Sequence, residues 1–445
     1  MDSESNKNDR FSSLGFIMSA VGSAVGLGNM WKFPYITGQY GGAAFFLLFI
    51  VCLLLIGFPV LLAELAVGRG GRGNASSSLT KLSGSKAWGA LGFLSVLGAF
   101  FIMAFYGVVA GWTLHYAVLS FTGNLFENGD YAGLFNQFIG GWAPIGWQLV
   151  VMIVTVLVLI RGVSKGIERF NKLLIPSLVV LLVLLAIQAM SLQGAGEGVS
   201  FFLKPDFSKL TGESALVALG QAFFSLSLGM GIMVTYGAYV QKSQSIGSAT
   251  FAVGLGNVLY ALLAGLIIFP TIFVFGIEPT QGPGLVFVAL PAAFSAMPFG
   301  ALFGGLFFVL LSFAAITSAV SILEVPVAYA TETFKWKRNS AVLIIGALCF
   351  LIGIPLSLSL GGGADWMTIN GKPVFDWVDF ICSNIILPVS SLVITIFAGY
   401  VWKGAAEESG LSAGWFKLWL FMVRFIAPIL VLLVLLYYAG VIQVG

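Results

Sequence analysis

Apolar residues run along this chain in eleven stretches, near residues 13–37, 41–68, 88–122, 146–161, 167–191, 215–240, 245–276, 300–333, 340–359, 376–402 and 414–441, and charge gathers in the short segments between them. A helix needs about 20 apolar residues to cross the hydrocarbon of a bilayer. The pattern predicts an all-α polytopic membrane protein with eleven transmembrane helices, spans 1 to 11, several long enough to tilt or project. Two of them are interrupted. Span 1 carries Gly22-Ser23-Ala24-Val25-Gly26-Leu27-Gly28-Asn29 with Pro34 just beyond, and span 6 carries Ser225-Leu226-Ser227-Leu228-Gly229-Met230-Gly231 near its middle. An unpaired backbone group in hydrocarbon costs several kcal/mol, so a broken helix survives there only where it lines a cavity or holds a ligand. Close helix packing would explain a single Gly-x-Gly pair as well. Paired breaks in corresponding halves point instead to the midplane site of a secondary transporter.

Composition and charge narrow this further. Hydrophobic residues make up 59% and charged residues 9% of the chain, and the mean hydropathy is +1.01, which excludes an ordinary soluble protein. The first ten residues are polar and lack the pattern of a signal peptide, so the N-terminus is expected in the cytoplasm. Sixteen Lys and Arg then fall on the cytoplasmic side, against Lys204, Lys209 and Lys372 outside, with Lys32 and Arg424 inside spans. An odd number of spans puts the C-terminus outside. Cys52, Cys349 and Cys382 lie in apolar segments without metal-ligand or disulfide spacing. His115, the single histidine, reads as a packed residue rather than a proton carrier. Without a reactive constellation, an enzyme ranks third, behind a transporter and a channel or sensor.

The run from Gly22 to Asn29 continuing into Trp31-Lys32-Phe33-Pro34-Tyr35, with Phe224-Ser225-Leu226-Ser227-Leu228-Gly229, resembles the neurotransmitter:sodium symporter family. The likeness covers nearly the whole chain in order and spacing, and the short termini and loops resemble the bacterial branch. It implies two inverted repeats of five helices, residues 13–191 and 215–402, with helices 1 and 6 broken and 414–441 a peripheral eleventh helix. The function it implies is sodium-coupled symport of neutral hydrophobic and aromatic L-amino acids by alternating access in a bacterial inner membrane. A non-transporting amino-acid sensor or a channel-like protein of the same fold is the alternative. The partners implied are a small amino acid and the lipid bilayer, with no nucleic acid. A twelfth helix, common in the family, is lacking, which leaves the oligomeric state open.

Site residues follow from the same resemblance. Sodium is a hard cation suited to carbonyl, amide and hydroxyl oxygens. A first Na+ is expected at the Ala24 carbonyl, the Asn29 and Asn257 side chains and Ser225, its shell closed by the substrate carboxylate. A second is expected at the Gly22 and Val25 carbonyls with Ala314, Thr317 and Ser318, although membrane Ser and Thr commonly bond back to their own helix. The carboxylate should meet Gly26, Leu27 and Gly28 at a helix N-terminus together with the Tyr106 hydroxyl, and the ammonium should meet the Ala24 and Phe224 carbonyls and Ser227. Ile102, Phe224, Met230, Ser318, Ser321 and Ile322 should line the side-chain pocket. No chloride is expected, because the family's chloride-binding tyrosine and serine fall at Phe49 and Ala261. Lys32 and Asp379 match an outer gate pair. Lys7 or Arg10 with Glu332, beside Tyr239, matches an inner one, although the family's gate tryptophan falls at Arg10. Glu64 and Glu324 read as buried structural carboxyls. Gly166 and Pro176 mark a segment of span 5 that unwinds easily, and residues 192–214 and 277–299 are expected to be more than plain linkers.

Overall fold

The computed structural model describes residues 10–278, 285–361 and 367–442; the inner-gate candidate Lys7 lies outside them. Among the described residues, nine unbroken helices are long and apolar enough to cross a membrane. These are Ala43–Gly71, Lys86–Thr122, Ala143–Ile160, Val163–Met190, Ile246–Val274, Gly300–Thr333, Arg338–Leu358, Val374–Val401 and Ala413–Tyr438, which are spans 2–5 and 7–11. Span 1 is the pair Ser13–Ala24 and Gly28–Gln39, bent by 43°. Span 6 is divided into Gly212–Ser225 and Ile232–Tyr239, each half too short to cross alone. Burial orders the bundle: spans 8 and 3 have 83% and 72% of their most apolar window covered by protein, whereas span 11 has 28%. The first two lie inside, and the last faces lipid.

The breaks have local causes. Val25 leaves helical backbone at φ −101° and ψ 76°, and the second half of span 1 restarts as a widened turn at Gly28–Lys32 before Pro34. In span 6 the connection contains Ser227 at φ +55°, Gly229 at +77° and Gly231 at +73°. Glycine adopts that left-handed backbone freely, while at Ser227 it costs about 1–3 kcal/mol, the kind of strain retained at functional sites. Side chains from neighbouring spans satisfy the freed backbone groups. Glu64 Oε1 accepts from the Gly229 N–H at 2.7 Å, Gln221 Nε2 donates to the Gly28 carbonyl at 3.0 Å, and Ser227 Oγ donates to the Ser23 carbonyl at 3.1 Å. Glu64 thus holds span 6 open in a fixed shape.

The segments outside the spans also carry structure. Helix Gly196–Leu203 rests on span 7, with Phe202 stacked on Phe269 at 5.2 Å. Residues 285–295 are helical and drive Phe287 against Trp112, Tyr116 and Phe135, covering one end of the central bundle. His115 stacks on Phe138 at 4.0 Å between ring centres, and all three cysteines are buried and free. Span 5 begins with a widened turn at Val163–Glu168, and Pro176 lies inside its helix.

Candidate functional site

Both breaks open onto one cavity, lined by Ser23, Ala24, Gly26, Leu27, Gly28, Ile102, Tyr106, Phe224, Ser225, Ser227, Met230, Ser318 and Ile322. Of the residues read from the sequence as substrate-facing, only Ser321 is missing. Its hydroxyl is occupied elsewhere, accepting from Tyr236 Oη at 2.7 Å and donating to the Thr317 carbonyl at 3.1 Å. Ser23 enters the lining unannounced, although its place inside the glycine-broken run was a usable signal.

Close approach explains the glycines. A methyl built on Gly26 would stand 2.5 Å from Ser318 Oγ and 3.1 Å from the Tyr106 hydroxyl, and one on Gly28 would stand 2.8 Å from the Phe224 ring. Tyr106 reaches from span 3 to accept the Leu27 N–H at 3.4 Å. A hydroxyl and the N-terminus of the second half of span 1 therefore face the same corner, the electrostatic setting that suits a carboxylate.

Beside that corner three side-chain oxygens converge. Ser225 Oγ lies 2.7 Å from Asn29 Oδ1 and 2.8 Å from Asn257 Oδ1. Asn257 is oriented by its own Nδ2, which donates to the Ala24 and Ser225 carbonyls at 3.0 Å each. Asn29 turns its oxygen inward although its Nδ2 then finds no acceptor among the described residues. One hydroxyl hydrogen can serve only one of the two amide oxygens. All three residues are buried, so the donor set has an excess of lone pairs that a cation would balance.

A second group of oxygens joins spans 1 and 8. Ser318 Oγ donates towards the Ser23 carbonyl at 3.3 Å and the Gly22 carbonyl at 3.4 Å, while Thr317 Oγ1 bonds back to Ala314 on its own helix at 3.0 Å. Back-bonding therefore holds for Thr317, and Ser318 reaches across. Val25 and Ala314 are buried in the same region. Phe49 and Ala261 are buried, with Phe49 against Phe33 at 5.1 Å, and neither offers a donor for an anion.

The described gate residues make contacts other than the pairs the resemblance implies. Lys32 and Asp379 both line a second, larger cavity that shares Leu27, Tyr106 and Phe224 with the first, but they form no ion pair. Lys32 Nζ sits 4.8 Å from the centre of the Phe224 ring, and Asp379 accepts from Ser383 Oγ at 2.7 Å. The ammonium has a π face within reach, and Phe224 separates the two cavities beneath it. On the basic side, Glu332 is not latched to Arg10. Its Oε2 accepts from the Asn74 N–H at 2.8 Å, Asn74 Nδ2 at 2.6 Å and Ser77 Oγ at 2.8 Å, and Arg10 is exposed. On that side Tyr239 instead donates to Glu324 Oε1 at 2.7 Å, with Arg338 binding the same fully buried carboxylate in a fork at 3.0 and 2.8 Å. Arg69 pairs with Glu408, and Arg72 donates to the Ala238 and Val240 carbonyls at the end of span 6. Nothing in the sequence around Arg338 names a partner on another helix.

The profile of the Sodium:neurotransmitter symporter family matches residues 8–129 and 134–444. The chain is 42% identical over 441 residues to an uncharacterized sodium-dependent transporter of Bacillus subtilis, covering 97% of this chain and 98% of that protein. It is 38% identical over 442 residues to another from Haemophilus influenzae, at 95% and 96% coverage. Among solved structures it is similar to MhsT in complex with L-phenylalanine, with a TM-score of 0.90 and 45% identity over 97% of this chain and 100% of that one. A cavity at paired helix breaks, in a multi-pass bundle similar along its whole length to these proteins, is that of a sodium-dependent transporter, and the chain belongs to the sodium:neurotransmitter symporter family.

Proposed function

We propose that this transporter couples sodium entry to the uptake of neutral hydrophobic and aromatic L-amino acids by alternating access. The observation that carries the reading is the cavity at the two breaks, where a tyrosine hydroxyl and helix-end N–H groups adjoin three oxygens that share one hydrogen. The substrate carboxylate lies between the two and supplies the negative charge that the first sodium ion needs. Ala24, Asn29, Ser225 and Asn257 hold that ion. A second ion sits at the Gly22 and Val25 carbonyls with Ala314, Thr317 and Ser318. Gly26 carries no side-chain carboxylate that could replace the substrate's, so amino acids are substrates and amines are not. The side chain packs on Ile102, Phe224, Met230 and Ile322, where the flexible thioether of Met230 accommodates different volumes. Phenylalanine in the similar MhsT structure supports this class.

Chloride has no role in this reading, since Phe49 and Ala261 cannot bind it. Spans 1–5 and 6–10 act as inverted repeats rocking about the cavity. The basic side is cytoplasmic, with the N-terminus there, the C-terminus outside, and a bacterial inner membrane around the protein. Phe224 with Lys32 closes the outer path, and Tyr239, Glu324 and Arg338 close the inner one. Uptake of labelled phenylalanine into proteoliposomes tests the proposal. Accumulation above the external concentration is expected with an inward sodium gradient, is lost with potassium in its place, and survives replacement of chloride by gluconate. Equilibration without accumulation would identify a channel, and saturable binding without uptake a sensor.

A further inference from the structure

The seam between the first half of span 1 and the start of span 5 is polar deep into the bundle. Ser12, Gly15, Ser19 and Gly22 recur at spacings of three, four and three residues, on one face of a helix, and each meets span 5. Glu168 accepts from the Ser12 N–H at 2.8 Å and the Ser12 hydroxyl at 2.6 Å. A methyl on Gly15 would overlap the Glu168 carboxyl. Asn171 Nδ2 lies 3.5 Å from Ser19 Oγ, and a methyl on Gly22 would stand 2.6 Å from Asn171 Oδ1.

A stripe of small residues is ordinary helix packing; Asn171 is not. Its side chain is fully buried, and its Nδ2 is held by the Ile167 carbonyl at 3.0 Å. Its Oδ1 has no donor among the described residues. A buried amide oxygen without a partner is costly wherever it serves no purpose. One turn further on, Pro176 has no N–H to donate to the Lys172 carbonyl. The Gly22 peptide that this oxygen abuts carries one of the carbonyls assigned above to the second sodium ion.

We propose that Asn171 Oδ1, with Ser19 Oγ, is a transfer station for the second sodium ion on its way to the cytoplasm, and that the Glu168 carboxylate is the next oxygen ligand along the seam. This rests on the two-ion reading. Glu168 is bridged to Lys172 at 2.6 Å, so part of its charge is already balanced and it does not trap the ion. An amide oxygen is a hard, neutral ligand, strong enough to receive a cation and weak enough to release it, as conduction through successive sites requires.

Asn171→Ala and Asn171→Asp in proteoliposomes test this, read by the maximal uptake rate, the external sodium giving half-maximal rate, and inhibition by sodium placed inside. With Ala the maximal rate should fall about fivefold, the worth of one lost ligand, while external half-saturation stays within about twofold. With Asp the station holds its ion, and internal sodium should inhibit at a concentration at least about fivefold lower. A purely structural asparagine would lower thermal stability in both variants and leave internal inhibition unchanged, which would overturn the proposal. If Asn171→Ala does not fold, Ser19→Ala carries the same rate test. A sodium titration of phenylalanine binding to the unmutated protein separates the two levels. No cooperativity would defeat the two-ion reading, whereas cooperativity with unaltered Asn171 variants would defeat the transfer station alone.

Discussion

Gly26→Ala should damage substrate binding out of proportion to its single added carbon. The new methyl would lie 2.5 Å from Ser318 Oγ and 3.1 Å from the Tyr106 hydroxyl, so the serine oxygen must retreat by about half an ångström or more to reach a tolerable contact. Ser318 can do so only by leaving the Gly22 and Ser23 carbonyls, to which it is bonded at 3.4 and 3.3 Å. Overpacking of this kind costs about 1–3 kcal/mol, which corresponds to roughly 5- to 150-fold in affinity. The assay is equilibrium binding of labelled phenylalanine at saturating sodium, run on Gly26→Ala alone and in a Ser318→Gly background. In that background the closer contact disappears, and the alanine should cost no more than about threefold, from the remaining Tyr106 contact. Gly26→Ala binding phenylalanine as tightly as the unmutated protein, or losing the same factor in both backgrounds, would refute the placement of this glycine between span 8 and the ligand.

Asn29→Ala or Asn257→Ala should weaken sodium and amino acid together, by about tenfold each, because the carboxylate shares the ion those amides hold. Thr317→Val with Ser318→Ala should mainly raise the sodium requirement, which sodium titrations at fixed phenylalanine would show. Arg338→Ala leaves the fully buried Glu324 with Tyr239 alone. Removing one partner of a buried pair costs about 3–5 kcal/mol, so thermal stability should fall, and a cysteine placed in the site should react faster with reagents added from the cytoplasmic side. In competition against labelled tryptophan, leucine should compete while tryptamine and glutamate should not. Competition by tryptamine would sink the role of the carboxylate, and competition by glutamate would sink the apolar pocket.

The spans were legible because hydrocarbon imposes a length and an apolar composition that no soluble context demands, and the breaks because glycine and proline interrupt a pattern that is otherwise unbroken. Side-chain direction was less legible. Ser321 lies three residues after Ser318, close enough on the helix to read as pocket-facing, but Tyr236 on the other half of span 6 draws its hydroxyl away. The resemblance alone paired Lys32 with Asp379 and Lys7 or Arg10 with Glu332. The fold instead presents Lys32 with the Phe224 face and surrounds Glu332 with the N–H, amide and hydroxyl donors of Asn74 and Ser77. The fork of Arg338 on Glu324 joins the start of span 9 to the inner half of span 8. No periodicity within either helix encodes that meeting. The unpaired oxygen of Asn171 was invisible for the same reason, since the absence of a partner can be seen only once every neighbour is in place.

The most direct test of the account is to follow sodium and phenylalanine entering the same proteoliposomes. If the amino-acid carboxylate completes the first ion's shell, sodium entry should rise from the leak level only when phenylalanine is present, with about two ions for each amino acid. Tryptamine should elicit none. Sodium entry indifferent to phenylalanine, or phenylalanine entry at full rate without sodium, would contradict it.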